Sequence, residues 1–517
     1  MDIKFVLLAR DENFPINARN SVYLAIDKWN DYSYVTMFYM TVFDEKGQEY
    51  NIGHIKIGFE KQITEIATYK KIIEKFNGKV FNTLPEEFFS LGQDVDFYIK
   101  IWKLPDNIKI FILENLNDIV YKPKLFKKFT NEDVLKTSLM RDIRKQTIQE
   151  QFRRILEDKS PLSEFNFYFI RSEQENIGEI NLEFNVVPNS MPSSNIHAII
   201  GRNGVGKTTL LNGMIKSFID KYDDTEGAFY CNNLMSLFPS DEFKKISDDY
   251  FSYLIAVSFS VFDPFIPNQK DLKYYSYIGL KESNEKLKEP QSYFEKDFWE
   301  SFSECKSFSA KKERWLNAIK NLESDVNFSE IKLSNWMNDK NDTFSKDEIL
   351  NLIKQMSSGH ASVLLIITQL VARVEEKTLV LLDEPESHLH PPLLSAFIRA
   401  LSELLDNRNG IAIIATHSPV VLQEIPKSCV WKIERTGIRT DPFRPNIETF
   451  GENVGVLTRE VFGLEVIKSG FHRILTKKVE EGGSYDEIIS EFQEQLGSEA
   501  KILLRTLIKL RDSQNNG

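Results

Sequence analysis

Residues 201–209 read Gly-Arg-Asn-Gly-Val-Gly-Lys-Thr-Thr and fit the pattern G-x-x-x-x-G-K-[ST] at Gly201, Gly206, Lys207 and Thr208. This segment restricts the fold more than any other, because the pattern works only between a strand and a helix. An apolar run, Ile196 to Ile200, leads into it and predicts a buried strand, and helix-compatible sequence from Leu210 to Phe218 follows. Glycines in such a loop let backbone N–H groups point into one concavity and surround phosphate oxygens. The expected nucleotide-binding residues are Gly201, Arg202, Asn203, Gly204, Val205, Gly206, Lys207, Thr208 and Thr209. Lys207 is placed to reach the β- and γ-phosphates of ATP, and Thr208 to ligate Mg²⁺.

Three later segments support this. Leu379-Val-Leu-Leu-Asp383-Glu384 is an apolar run that ends in two carboxylates. A buried parallel strand has this composition, and ligands bind at its carboxyl end. Asp383 is the expected second Mg²⁺ ligand, and Glu384 the expected general base for the attacking water. Ile411 to Ala415 is another apolar run, ending in Thr416-His417-Ser418-Pro419, and delivers His417 toward the γ-phosphate as a second catalytic candidate. A lone histidine at a strand end is usually structural, but this one is in register with two other phosphate motifs. Met356-Ser357-Ser358-Gly359-His360 precedes an apolar helix, and serines cap helices well while Gly359 permits close backbone approach. Ser358 and Gly359 lie too close to the 379–382 strand to open a second nucleotide fold. They are expected to meet a nucleotide held by another subunit.

In this order the four segments resemble the ABC-type ATPase head. The resemblance implies an α/β fold, a P-loop head with a mixed sheet and a helical lobe. It also implies head-to-tail dimers in which Ser358 and Gly359 act in trans. His360 stands where transporters usually carry glutamine or glutamate, which points away from transporters. The roughly 150 residues between the phosphate loop and the signature show no long heptad run, so a coiled-coil tether is not expected.

The chain has 517 residues, enough for several cores. No stretch of 18 apolar residues occurs, so no membrane association is expected. Cys231, Cys305 and Cys429 are scattered, which favours a reducing cytoplasm. Alternating segments at Phe165–Ile170 and Glu179–Val186 predict antiparallel strands opening the head near residue 160. Residues 1–155 form an expected N-terminal α+β domain, with strands near 34–43 and 51–59. The head is expected over 160–435, its helical lobe over about 275–356, and a mostly helical segment over 436–517, including helices near 484–495 and 498–512. The glutamine-loop position, 256–265, holds no glutamine, which leaves Ser258, Ser260 or the later Gln269 as weak metal-side candidates.

The string Asp383-Glu-Pro-Glu386-Ser-His388-Leu-His390-Pro391 resembles defence ATPases of the overcoming-lysogenization type more than transporters. His388 and His390 lack a carboxylate at ligand spacing and make a weak metal site. Residues 28–58, Ser90-Leu-Gly-Gln-Asp94, Ser138-Leu-Met-Arg-Asp142 and Asn195-Ile-His197 resemble the Septu-type ATPases (PtuA), which also occur in retron operons. That resemblance implies a separate HNH nuclease partner of the PtuB kind. It also allows nucleic acid, or a retron reverse transcriptase with its msDNA, as further partners. The 100 residues after His417 hold no Asp-x-Asp for a Toprim nuclease, so the chain itself is not expected to cut. The alternative is a RecF-like repair ATPase. Its support is a basic cluster at Lys122, Lys124, Lys127, Lys128, Arg141, Arg144, Lys145, Arg153 and Arg154, against a net charge of −11.

Overall fold

The computed structural model describes residues 3–9, 12–27, 33–141, 143–158, 162–174, 178–220, 223–232, 243–258, 274–279, 281, 293–338, 344–387, 389–468 and 470–515. Three sheets organise the chain. The first has six strands in the spatial order Val80–Phe81, Lys4–Leu8, Ser21–Ile26, Met37–Phe43, Glu49–Phe59 and Phe88–Gly92. Helices Val95–Trp102, Asp106–Asn115 and Pro123–Phe129 share its core, which includes Phe5, Phe38, Phe89 and Tyr98. The strands expected near 34–43 and 51–59 are present.

The second sheet is four-stranded and antiparallel, ordered Phe243–Lys245, Ala228–Asn232, Phe165–Arg171 and Ile180–Val186. In Phe165–Arg171 buried residues alternate with half-buried ones, as a one-faced strand requires. Phe165, Phe167 and Phe169 pack in one cluster with Leu210, Leu211 and Met214 of the helix Lys207–Ile219.

The third sheet has seven strands: Tyr275–Gly279, Tyr253–Ser258, Thr378–Asp383, Ile411–Thr416, Ile196–Gly201, Val430–Thr436 and Arg439–Phe443. All neighbours are parallel except the last pair. The middle strands Ile196–Gly201, Thr378–Asp383 and Ile411–Thr416 are buried throughout, as expected of strands covered on both faces.

Two boundaries differ from expectation. The lobe is expected from about residue 275, yet Tyr275–Gly279 is a strand paired with Tyr253–Ser258. Its aromatic and β-branched residues, all buried, suit a strand, and the described helices begin only after residue 292. The head is expected to end at 435, yet Arg439–Phe443 pairs antiparallel with Val430–Thr436 and extends the same sheet to residue 443. The connecting Gly437, at φ +67°, supplies the left-handed turn that allows this hairpin.

Ion pairs tie the N-terminal part of the chain to the rest. The Arg314 guanidinium donates to Asp94 at 2.8 Å, and Arg408 lies 3.6 Å from the same carboxylate and 2.6 Å from Glu375. Lys377–Glu150 at 2.6 Å and Arg154–Glu376 at 3.2 Å add two further links. Burial opposes the Asp94 charge, but the adjacent Arg314 and Arg408 hold its carboxyl down to about 2. Burial pushes Glu376 up to about 7 despite Arg154.

Segments that resembled the Septu-type family mostly serve packing. The Asn195 side-chain amide donates to the Ser402 carbonyl at 2.8 Å and to Asp406 at 2.7 Å. Buried Lys56 donates to the Ser138 carbonyl at 2.8 Å, and Thr36 and Ser138 share a 2.7 Å hydroxyl contact. Residues 28–32 and Asp142 of those segments lie outside the described residues.

The C-terminal part is helical, with Val454–Lys468, Gly470–Glu480, Tyr485–Glu491 and Ser498–Asn515. Leu504 is fully buried against Leu475, Val479 and Ile488, with Leu503, Leu507 and Ile508 packed around that cluster. Most of the apolar face of the last helix is thus used within the chain, and Ile502 and Leu510 stay exposed.

Candidate nucleotide site

Strand register brings the predicted residues together. Asp383 is the last residue of its strand and pairs with Ala415, while Thr416 pairs with Ile200. The carboxyl ends of three adjacent strands therefore stop at one level, next to the start of the phosphate loop. This is the crevice where parallel sheets bind ligands.

The loop itself is built from backbone. Gly204 and Gly206 adopt φ of +80° and +99°, where L residues are strained, and a Cβ at either would meet nothing within 4 Å. The concavity is open on that side. Gly201 is different: a Cβ there would lie 2.6 Å from the Ile433 carbonyl, so close strand packing requires glycine. The helix Lys207–Ile219 starts from Gly206 with no side-chain cap, which leaves first-turn N–H groups for an anion. Arg202, Asn203, Gly204 and Thr209 are exposed, and Val205 and Thr208 are half-buried.

Lys207 is only 5% exposed. Its ammonium donates to the Gly201 and Arg202 carbonyls, both at 3.0 Å. Burial lowers its pKa, and Glu384, Asp383 and Glu386 partly offset this. Three carboxylates are thus within electrostatic reach of one lysine.

Glu384 follows the strand with φ +46°, in the left-handed region, while its N–H bonds the Ala415 carbonyl at 2.9 Å. A non-glycine residue there costs on the order of 1–3 kcal/mol and marks a position that the surroundings impose. His417 Nδ1 lies 3.5 Å from Glu384 Oε1 and 3.1 Å from Glu386 Oε1. Glu386 is half-buried, and its Oε1 accepts from the Thr416 hydroxyl and the His417 N–H, both at 2.7 Å. Glu386 carries no expected role in the sequence alone. The available signal was the second acid of Asp-Glu-Pro-Glu, whose carboxylate fixes the loop that carries His417.

Ser258 pairs in register with Asp383 and is buried, so the strand end reaches the site. Ser260 and Gln269 lie outside the described residues, as does His388. Ser358 begins the helix Ser358–Arg373 and is exposed, while Gly359 is buried. The cap is Ser357, whose Oγ accepts the His360 N–H at 3.4 Å. Among the described residues no hydrogen bond or ion pair joins Ser358 or Gly359 to the phosphate loop of the same chain.

Several members of the basic cluster are already engaged. Lys122 donates to the Glu114 carbonyl at 2.6 Å, Arg153 pairs with Glu157 at 3.0 Å, and Arg154 with Glu376 at 3.2 Å. Arg144 stacks 4.7 Å from the Tyr274 ring centre, and Lys128 lies 3.9 Å from Glu60.

A protein-family profile described as "AAA domain, putative AbiEii toxin, Type IV TA system" matches residues 196–423, from the strand before the phosphate loop to beyond His417. Protein ea59 of Escherichia phage lambda is 45% identical over 532 residues, covering 99% of each chain. The chain belongs to the ea59 family. Similar solved structures include an ATP-binding cassette of an ABC transporter in its ADP conformation, with 14% identity, TM-score 0.28 and coverage of 59% of this chain and 98% of that one. UvrA2 of Deinococcus radiodurans gives 12% identity and TM-score 0.29, covering 56% and 39%. Across residues 196–423 this ea59-family member has a P-loop ATPase head, in which the glycine loop follows a central strand of a mostly parallel sheet. No helix among the described residues is long and apolar enough to cross a membrane.

Proposed function

We propose that the chain binds Mg²⁺-ATP between two copies of its head and hydrolyses it. The observation that carries this is the convergence of Lys207, Asp383, Glu384, Glu386 and His417 around an open glycine cradle. Thr208 and Asp383 would hold Mg²⁺, Glu384 is placed to take the proton of the attacking water, and His417 to contact the γ-phosphate. The ion supplies charge neutralisation on the phosphates. Glu386 positions His417 through its backbone and ring. Ser358 and Gly359 complete the site of the opposite copy. The exposure of Ser358 at a helix N-terminus, with Gly359 packed behind it, favours that assignment.

The biological output on this reading is control of a separate HNH nuclease in an antiviral defence complex of the Septu or retron kind. Two things support it: the looser family resemblance along the chain, and a family description that includes a toxin of a toxin–antitoxin system. A relative encoded by phage lambda fits a system with which one phage excludes another. The RecF-like alternative needs a free basic stripe, and the pairing of Lys122, Arg153 and Arg154 weakens it.

Purification with the products of neighbouring genes tests the output. An HNH protein should co-elute, and metal-dependent cleavage should appear only in the complex. Cleavage by the isolated, contaminant-free chain with Mg²⁺ or Mn²⁺ would refute the scaffold role. Tight, salt-sensitive duplex binding without any nuclease partner would favour the repair reading.

A further inference from the structure

Asp325, His360 and His390 converge although they lie on three separate elements. Asp325 caps the helix Val326–Ile331, His360 sits in the first turn of Ser358–Arg373, and His390 caps Pro391–Asn407. One ligand atom from each lies within 4.8 Å of the others. We propose that these three residues form a binding site for one divalent metal ion of the zinc class, distinct from the Mg²⁺ position at the phosphates.

The spacing favours coordination. Tetrahedral ligands about 2.0–2.1 Å from zinc are about 3.3 Å from one another. His360 Nε2 lies 2.9 Å from Asp325 Oδ1, and His390 Nε2 lies 3.4 Å from Asp325 Oδ2. Each imidazole already reaches the carboxylate, though through a different oxygen, so the carboxylate must turn slightly for one oxygen to serve both. Shortening the distance between the two imidazoles falls to His390, whose side chain is 46% exposed, while Asp325 and His360 are each 8% exposed. The exposed side leaves a fourth position for water.

The outer contacts orient the ligands as metal sites require. His360 Nδ1 lies 2.7 Å from Ser357 Oγ, which turns Nε2 toward Asp325. Asp325 Oδ1 accepts the N–H groups of Asn327 at 2.9 Å and Phe328 at 3.4 Å. Two contacts must yield. The Asn327 amide, 3.3 Å from His360 Nε2, swings aside. The Leu393 N–H donates to His390 Nδ1 at 3.3 Å, and coordination through Nε2 moves the ring proton to Nδ1 and breaks that bond. Losing a long helix cap costs roughly tenfold in affinity, which a three-ligand site tolerates.

Two imidazoles and one carboxylate select zinc-like ions over Mg²⁺, which prefers six oxygens. His390 follows Glu384 by six residues, and His360 follows Ser358 by two. A bound ion would therefore tie the helical lobe, the signature helix and the segment after Glu384 into one unit.

The test uses the full chain, stripped of metal and free of nucleotide. Zn²⁺ is titrated against a chromophoric chelator, and Co²⁺ is added separately to read its visible spectrum. One ion per chain should bind with a dissociation constant of about 1 μM or tighter, and Co²⁺ should give the intense bands of a tetrahedral site. His390→Ser and His390→Asn both retain a capping side chain and remove the ligand. Each should weaken Zn²⁺ binding at least a hundredfold, as should Asp325→Asn, with circular dichroism confirming folded protein. Asp383→Asn should leave zinc affinity within twofold of wild type. No zinc binding by wild type, undiminished binding by both His390 variants, or loss of binding in Asp383→Asn alone would each overturn the proposal.

Discussion

Replacing Lys207 by alanine separates nucleotide binding from folding. Without nucleotide the ammonium satisfies two carbonyls of its own loop, Gly201 and Arg202, at 3.0 Å each. ATP binding exchanges these acceptors for charged phosphate oxygens. Hydrogen bonds between charged groups contribute about 1.5–3 kcal/mol each, and bonds to a neutral acceptor about 1 kcal/mol less. Two exchanged bonds, with added attraction to the phosphate charge, come to about 3 kcal/mol, or roughly a hundredfold in Kd. Stability should change little, because water can replace the ammonium at both carbonyls. Equilibrium titration with a fluorescent ATP analogue and Mg²⁺ reads the effect. Lys216→Ala is the control, since Lys216 is on the same helix and pairs with Glu226 at 2.8 Å. Equal affinity for Lys207→Ala and wild type, or equal losses in both variants, would show that Lys207 does not face the phosphates.

Glu384→Gln should bind ATP normally and turn it over roughly 10²–10⁴-fold more slowly, as loss of a general base requires, and wild-type turnover in a phosphate-release assay would exclude the role. Mixing inactive Lys207→Ala with inactive Ser358→Arg subunits should restore one competent site per mixed dimer, whereas confirmed heterodimers without ATPase recovery would argue against sharing across subunits. Asp94 has a depressed folded pKa, about 2 against an unfolded 3.8. Its stabilisation is therefore present above about pH 4 and is lost as pH falls through 2, amounting to about 2 kcal/mol for a shift of this size. Asp94→Asn should lower the urea midpoint at pH 6 and converge with wild type near pH 2, and a gap independent of pH would refute the linkage.

Local pattern made the nucleotide motifs legible. Ile196–Gly201, Thr378–Asp383 and Ile411–Thr416 are continuous apolar runs that end in Gly, Asp and Thr-His, and such runs occur where both faces of a parallel strand are covered. Their order within the sheet could not be read from the runs, because pairing partners lie far apart in sequence. Ile196–Gly201 sits between Ile411–Thr416 and Val430–Thr436, more than 200 residues later. Tyr275–Gly279 and Arg439–Phe443 were missed for the same reason: each is five residues long and gains its identity from a neighbour.

Two acids, Glu386 and Asp325, show the deeper limit. Either looks like an ordinary surface acid within its own ten residues. Glu386 matters because a parallel strand from 411 to 416 presents Thr416 and the His417 N–H to it. Asp325 matters because helices starting at 358 and 391 turn His360 and His390 toward one carboxylate. The sequence showed two histidines in the Asp-Glu-Pro-Glu string with no acid at ligand spacing, and so pointed away from a metal. In the proposed site the acid lies 65 residues upstream of His390, supplied by the helical lobe, and the second imidazole comes from the helix that starts at Ser358. Chemistry carried by consecutive residues can be read from the chain, whereas chemistry assembled from the starts of three helices requires the fold that aligns them.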